Sequence, residues 1–180
     1  MYVKKILSIS FLVLLLAACK KEISELPAVT QTGNKTFGAK VNGELWVPQG
    51  FGPFPANDIL EAQLLGNNLV INARNFASSP TETEFAFYIR NIDGVGTYLL
   101  NSNASHPATS SSYAYFVKRK ITPLNEWITS PSYPGTFTIT KLDTAASIVS
   151  GTFEFTAMNI YNTPAPLTVK EGRFDLKYTR

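Results

Sequence analysis

Thr36-Phe37-Gly38-Ala39-Lys40-Val41-Asn42-Gly43-Glu44-Leu45-Trp46-Val47 holds two short runs joined by the dipeptide that most favours a tight β-turn. Phe37, Ala39 and Val41 fall on alternate positions, the period of a strand with one buried face. Asn-Gly tolerates the positive φ that a two-residue type I′ turn needs at both central positions, so the chain reverses there and Glu44–Val47 returns alongside. A β-hairpin opening a domain is the expectation.

The same grammar continues to the end of the chain. Leu60, Ala62 and Leu64 alternate, Gly66-Asn67-Asn68 turns, and Leu69, Ile71 and Ala73 resume the alternation, which predicts a second hairpin. Phe85, Phe87 and Ile89 alternate with Glu84, Ala86, Tyr88 and Arg90. Gly94–Leu100, Tyr113–Val117, Glu126–Thr129, Thr136–Lys141, Ile148–Ala157 and Val169–Tyr178 supply further strands, and no window carries a sustained helical period. Pro48–Ala56, with three prolines and two glycines, cannot continue a ladder and reads as a loop carrying Phe51 and Phe54. Asn101–Ser112 reads as a polar, mobile loop. The fold class is therefore all-β: a single antiparallel β-sandwich of about nine to eleven short strands, with a closed or partly open barrel as the alternative.

The first residues carry a different pattern. Lys4 and Lys5 precede an apolar run from Ile6 to Leu16, interrupted only by Ser8 and Ser10 and followed by Ala17, Ala18 and Cys19. That run is shorter than the roughly 20 residues a helix needs to cross a bilayer core, so it reads as the apolar region of a secretory signal peptide spanning 1–18. Leu16-Ala17-Ala18-Cys19 resembles the lipobox of bacterial lipoproteins, which implies a diacylglyceryl group on the cysteine sulfur and cleavage just before it. Cys19 is the sole cysteine of 180 residues and has no internal disulfide partner. Thioether formation would remove a lone thiol that an exported protein rarely keeps. Residues 19–35, with Pro27, Gly33 and no period, read as a lipidated flexible tether, and 36–180 as the domain. Sixteen flexible residues would give a root-mean-square standoff of about 20–24 Å from the bilayer.

Phe37-x-Ala39-x-Val41-Asn42-Gly43-x-x-Trp46, Gly96-Thr97-Tyr98, Phe137-x-Ile139-Thr140-Lys141-x-Asp143, Val149-Ser150-Gly151-Thr152-Phe153-x-Phe155-x-Ala157 and Gly172-x-Phe174 follow in that order. Together, behind the lipobox, they resemble a family of Bacteroidota lipoproteins of unknown activity. The resemblance implies an all-β fold and an address in the cell envelope, at the outer membrane, with the periplasmic or surface face left open. It carries no functional residue with it.

Composition narrows the function classes. The formal charge is +3, but cleavage before Cys19 would remove Lys4 and Lys5 and leave fourteen basic against thirteen acidic side chains. Such a domain, whose one dense basic run is Lys118-Arg119-Lys120, offers no stripe for nucleic-acid phosphates. The 162 residues from Cys19 onward suffice to bury about two thirds of the unfolded surface without a metal or disulfide.

No cofactor or metal is called for. His106 is the single imidazole, and no Gly-x-Ser-x-Gly elbow accompanies it. Paired carboxylates for glycoside hydrolysis could come from Glu126 with Glu154 or Asp175. The reading that best fits is a non-catalytic binding or structural module, held to a lipid bilayer through acylated Cys19, with a glycan, peptide or envelope protein as partner. A barrel carrying a small apolar ligand is the alternative, and a carboxylate hydrolase ranks behind it. Trp46, Phe51, Phe54, Trp127 and Tyr133 are the candidate ligand-contacting aromatics, since exposed rings beside amide and hydroxyl groups suit sugars; a Trp among alternating apolar residues is more often core.

Overall fold

A computed structural model of the protein describes residues 23–50, 58–78, 80–161 and 165–180. Among them there are eleven antiparallel strands and no helix. They are β1 (Thr36–Val41), β2 (Glu44–Trp46), β3 (Leu60–Leu65), β4 (Asn68–Asn75), β5 (Glu82–Ile89) and β6 (Gly96–Leu100). The rest are β7 (Tyr113–Arg119), β8 (Pro123–Ile128), β9 (Gly135–Asp143), β10 (Ile148–Asn159) and β11 (Leu167–Lys177). The Asn42-Gly43 turn forms as expected, with φ of 50° and 90° at its two residues and Val41 paired with Glu44.

The all-β expectation holds, in a form nearer the partly open barrel than two separate sheets: one continuous curled sheet runs in the order β2-β1-β11-β10-β8-β7-β5-β4-β3, with β9 and then β6 branching from β10. The cause lies in β10, whose twelve residues outrun the nine of β9. One edge of β10 pairs with β9 from Ile148 to Phe155, and the overhang, Met158 and Asn159, pairs with Ile128 and Trp127 of β8. The two halves of the sheet thus face each other like a sandwich while sharing a strand.

The far rims also approach. Leu64 donates to the Thr179 carbonyl at 2.7 Å and Thr179 donates to Ala62 at 3.0 Å, so the residues after β11 cover the edge of β3. Phe76 donates to Gln49 at 2.8 Å, tying the continuation of β2 to that of β4. The result is a half-barrel whose seam lies between β1–β2 and β3.

Its interior is filled with rings. Phe37, Phe85, Phe87 and Phe153 lie within centroid distances of 4.8–6.2 Å of one another, and Phe137 stacks on Phe174 at 4.8 Å. Trp46 and Trp127 belong to this same core, at 8% and 6% exposure, and neither is a surface platform. Alternation on their strands turns them inward: Trp46 meets Phe85 edge-on at 4.6 Å and donates its indole N–H to Thr83, while Trp127 donates to the Ala165 carbonyl.

The reading of 19–35 as flexible does not hold for the stretch that is described. Residues from Leu26 to Asn34 lie against the domain as a strap. Gly38 lacks a Cβ where one would meet Pro27 Cδ at 2.8 Å and Leu26 Cδ2 at 3.1 Å, and Arg173 donates to the Pro27 carbonyl at 3.3 Å. Farther along, one carboxylate collects the strap. Asp175, buried in β11, accepts from Thr30 Oγ1 (2.6 Å), from the backbone N–H of Thr32 (3.0 Å), Gly33 (2.7 Å) and Asn34 (3.2 Å), and from Ser150 Oγ (2.7 Å).

Candidate functional site

Pairing puts the odd residues of β7 on the outer face of the sheet, beside the even residues of β5 and β8. Ala86 stands opposite Tyr115, Tyr115 opposite Ile128, Glu84 opposite Val117 and Val117 opposite Glu126. This face carries a small apolar cluster of its own, Ala86, Tyr113, Tyr115, Val117 and Ile128, against which Tyr88 and Ala104 pack. Ala104 belongs to the polar loop 101–112, so that loop is drawn down over the sheet.

His106 is what fastens it. The imidazole stacks on Tyr115 with centroids 4.0 Å apart and planes 15° from parallel, and its Nδ1 lies 3.0 Å from the Tyr113 hydroxyl. The residue as a whole remains exposed, so this contact lies at the surface of the protein. Sequence reasoning placed His106 in a mobile polar loop and missed this seat. The signal available was the alternation of Tyr113 and Tyr115, which on a strand puts two rings on one face with room for a third. His106→Ala is expected to speed amide exchange across residues 104–112 and expose the loop to proteolysis, while costing only about 1 kcal/mol of global stability. Unchanged exchange there would show that the loop is held by something else.

Toward one end of this face the tyrosines give way to charge. Arg119 binds both Glu82 and Glu84, and Arg74 reaches Glu84 at 3.2 Å and Glu61 at 3.3 Å, a ladder of alternating sign across β7, β5, β4 and β3. Glu126 stands at the junction and accepts from two phenols, Tyr115 and Tyr161. Tyr161 is exposed and overhangs the end of β10.

The imidazole and the three phenols of this face are held in their neutral forms. Burial lowers the pKa of His106 below the usual imidazole value, the nearby Glu84 and Glu126 charges only partly opposing it, so the ring is neutral at pH 7. Burial pushes Tyr113 up to about 12, and burial together with the bond to Glu126 raises Tyr115 further. Tyr161 is raised by its bond to Glu126. All three phenols are therefore protonated at neutral pH. The arrangement offers a ring face, hydroxyl groups, a carboxylate and a guanidinium side by side, which suits recognition of a polyhydroxylated surface more than bond cleavage.

The other candidates go elsewhere. Phe51 and Phe54 lie outside the described residues, as do Leu16, Ala17, Ala18 and Cys19. Tyr133 is half-buried in the turn closed by Ser130. Glu154 forms an exposed pair with Lys170, and Asp175 engages both oxygens with the strap and Ser150. Asp143 accepts from the N–H groups of Ala145 and Ala146, capping its own turn. Among the described residues no three His, Cys, Asp or Glu side chains gather as a metal site requires.

The concavities found are surface grooves. One of about 390 Å³ runs along the seam, between Ile23, Pro27 and Lys35 on one side and Val47, Pro48, Asp58 and Ile59 on the other. A second, of about 520 Å³, shares Lys35 and Asp58 with it and continues past Glu61 and Gln63.

No protein-family model, curated protein or solved structure matches the chain. The functional reading therefore rests on the residues themselves.

Proposed function

We propose that this protein is a lipid-anchored module of the bacterial envelope, of the Bacteroidota lipoprotein kind, that binds a glycan on the outer face of β5, β7 and β8 without altering it chemically. The observation that carries the binding half is the His106 ring stacked flat on Tyr115 at the surface, beside a carboxylate that gathers the Tyr115 and Tyr161 hydroxyls. Sugars present an apolar ring face bordered by hydroxyls, and both halves of that chemistry are answered here. The ring-filled interior weighs against a carrier of small apolar ligands, which needs an enclosed cavity of some hundreds of Å³.

The anchoring half rests on Leu16-Ala17-Ala18-Cys19. Cys19→Ala is expected to yield protein that incorporates no labelled palmitate and is released from membranes, because the stable hold comes from acyl chains at roughly 0.8 kcal/mol per buried methylene. Equal labelling of wild type and variant would refute it. For binding, envelope polysaccharides titrated against the domain should quench tyrosine emission, and the paired change His106→Ala with Tyr161→Ala should abolish the quenching. Saturable binding that survives both changes would place the glycan elsewhere.

A further inference from the structure

The strap fixes how far the domain can stand from its anchor and which side it turns to the bilayer. Resting on the reading of Cys19 as the acylated residue, we infer that the protein lies with its seam against the lipid headgroups and carries the β7–β8 face outward. The occupant of the seam side is a phospholipid surface.

Only Lys20, Lys21 and Glu22 separate Cys19 from Ile23, which already lines the seam groove, and the chain is packed against Gly38 from Leu26 onward. Cys19 to Leu26 is seven Cα steps, at most about 25 Å when fully extended and roughly 13–16 Å in root-mean-square span. That is well short of the standoff a freely jointed stretch to Lys35 would give. The leash also emerges at one defined place, because Arg173 holds the Pro27 carbonyl and Asp175 clasps Thr30 to Asn34.

Strand order then sets the orientation. The leash leaves beside Pro48, Asp58 and Ile59, where β2 ends and β3 begins. β3 is the terminal strand of the curled sheet, and the turn between β7 and β8 lies three to four strand spacings away, roughly 14–19 Å along the sheet. With the rim at β3 held near the headgroups, His106, Tyr115 and Tyr161 face away from the membrane. Exposed Ile23, at 46%, lines the groove on the bilayer side and offers an apolar side chain to the lipid surface.

The lone native cysteine makes the test direct, since after acylation a new cysteine is the sole free thiol. The full lipidated chain, labelled with a fluorophore at Asp58→Cys or at Ile121→Cys, is reconstituted into phosphatidylethanolamine–phosphatidylglycerol vesicles containing a nitroxide-headgroup lipid. Asp58 is half-exposed in a surface pair with Lys35, and Ile121 is 97% exposed in the β7–β8 turn, so neither change disturbs the core. The label at 58 should be quenched several-fold more than the label at 121. Inserting about twelve Gly and Ser residues between Glu22 and Ile23, which adds a span of roughly 17–21 Å, should bring the two labels level. Equal quenching in the parent chain overturns the orientation. Chain that fails to enter vesicles and shows no fatty acid by intact mass overturns the anchor reading as well, and the mass tells the two failures apart.

Discussion

Asp175→Ala is expected to cost about 3 kcal/mol and to release the strap from Thr30 to Asn34. Six donors from five residues converge on this carboxylate, three of them consecutive backbone N–H groups that have no strand partner to fall back on. Removing the acceptor leaves Ser150 Oγ in a buried place without its partner and sends the strap amides to water, where they recover hydrogen bonds but lose their position. Urea unfolding should therefore show a lower midpoint, and amide exchange at residues 30–34 should rise to that of free chain. A midpoint shift worth less than about 0.5 kcal/mol, with the strap still protected, would show that Pro27 and Gly38 hold it without the clasp. The pH dependence has a definite sign. Burial alone would raise the Asp175 pKa, but the hydrogen bonds from Thr30, Ser150, Thr32 and Gly33 outweigh it and hold the carboxyl well below the usual range. A carboxyl that titrates lower folded than unfolded stabilises the fold fully above the unfolded value of about 3.9 and loses that contribution as the pH falls through the folded value. Wild type should thus weaken steadily below about pH 4, and the variant should lack that part of the slope.

The strand framework was legible because its signals are local. Period-two alternation in Phe85-x-Phe87-x-Ile89 and the Asn42-Gly43 turn each act over a few residues, and both were realised in place. The strap was not legible. Lys20 to Lys35 has no period and contains Pro27 and Gly33, the composition of a linker, and what orders it is a partner about 140 residues away in sequence. The two tryptophans show the same limit from the other side. A residue type that serves both cores and platforms is assigned by the pairing register, and the register that turns Trp127 inward is set by β7 and β10. His106 combined both difficulties, a polar loop by composition made into a seated ring by Tyr113 and Tyr115. The sharing of β10 between the two halves depends on the relative lengths of β9 and β10, a difference of three residues that falls within the uncertainty of any boundary read from pattern.

Gly151→Ala is expected to prevent folding or to cost more than about 4 kcal/mol, although it adds one methyl group. Three glycines in β9, β10 and β11 face phenylalanines directly across the ladder: Gly151 opposite Phe174, Gly172 opposite Phe153, and Gly135 opposite Phe155. Each leaves room for a large ring to lie over bare backbone, which is how these strands pack so many aromatic side chains beneath a curled sheet. A Cβ at Gly151 would stand 2.0 Å from the Thr138 carbonyl oxygen and 2.8 Å from Phe174 Cζ. The ring could swing aside, but the oxygen belongs to β9 and moves only if the β9–β10 pairing moves with it. Trimming the ring therefore should not help, and Gly151→Ala combined with Phe174→Leu should fold no better than the single variant. Gly66→Ala is the matched control: its φ of 61° strains any side chain, yet its Cβ would meet nothing within 4 Å, so a loss of about 1 kcal/mol is expected. Circular dichroism and thermal melting of the three variants decide the matter. A Gly151→Ala protein that melts within a few degrees of wild type would mean that β9 and β10 are not closed against each other as described, and rescue by Phe174→Leu would mean that ring crowding, and not the carbonyl, sets the limit.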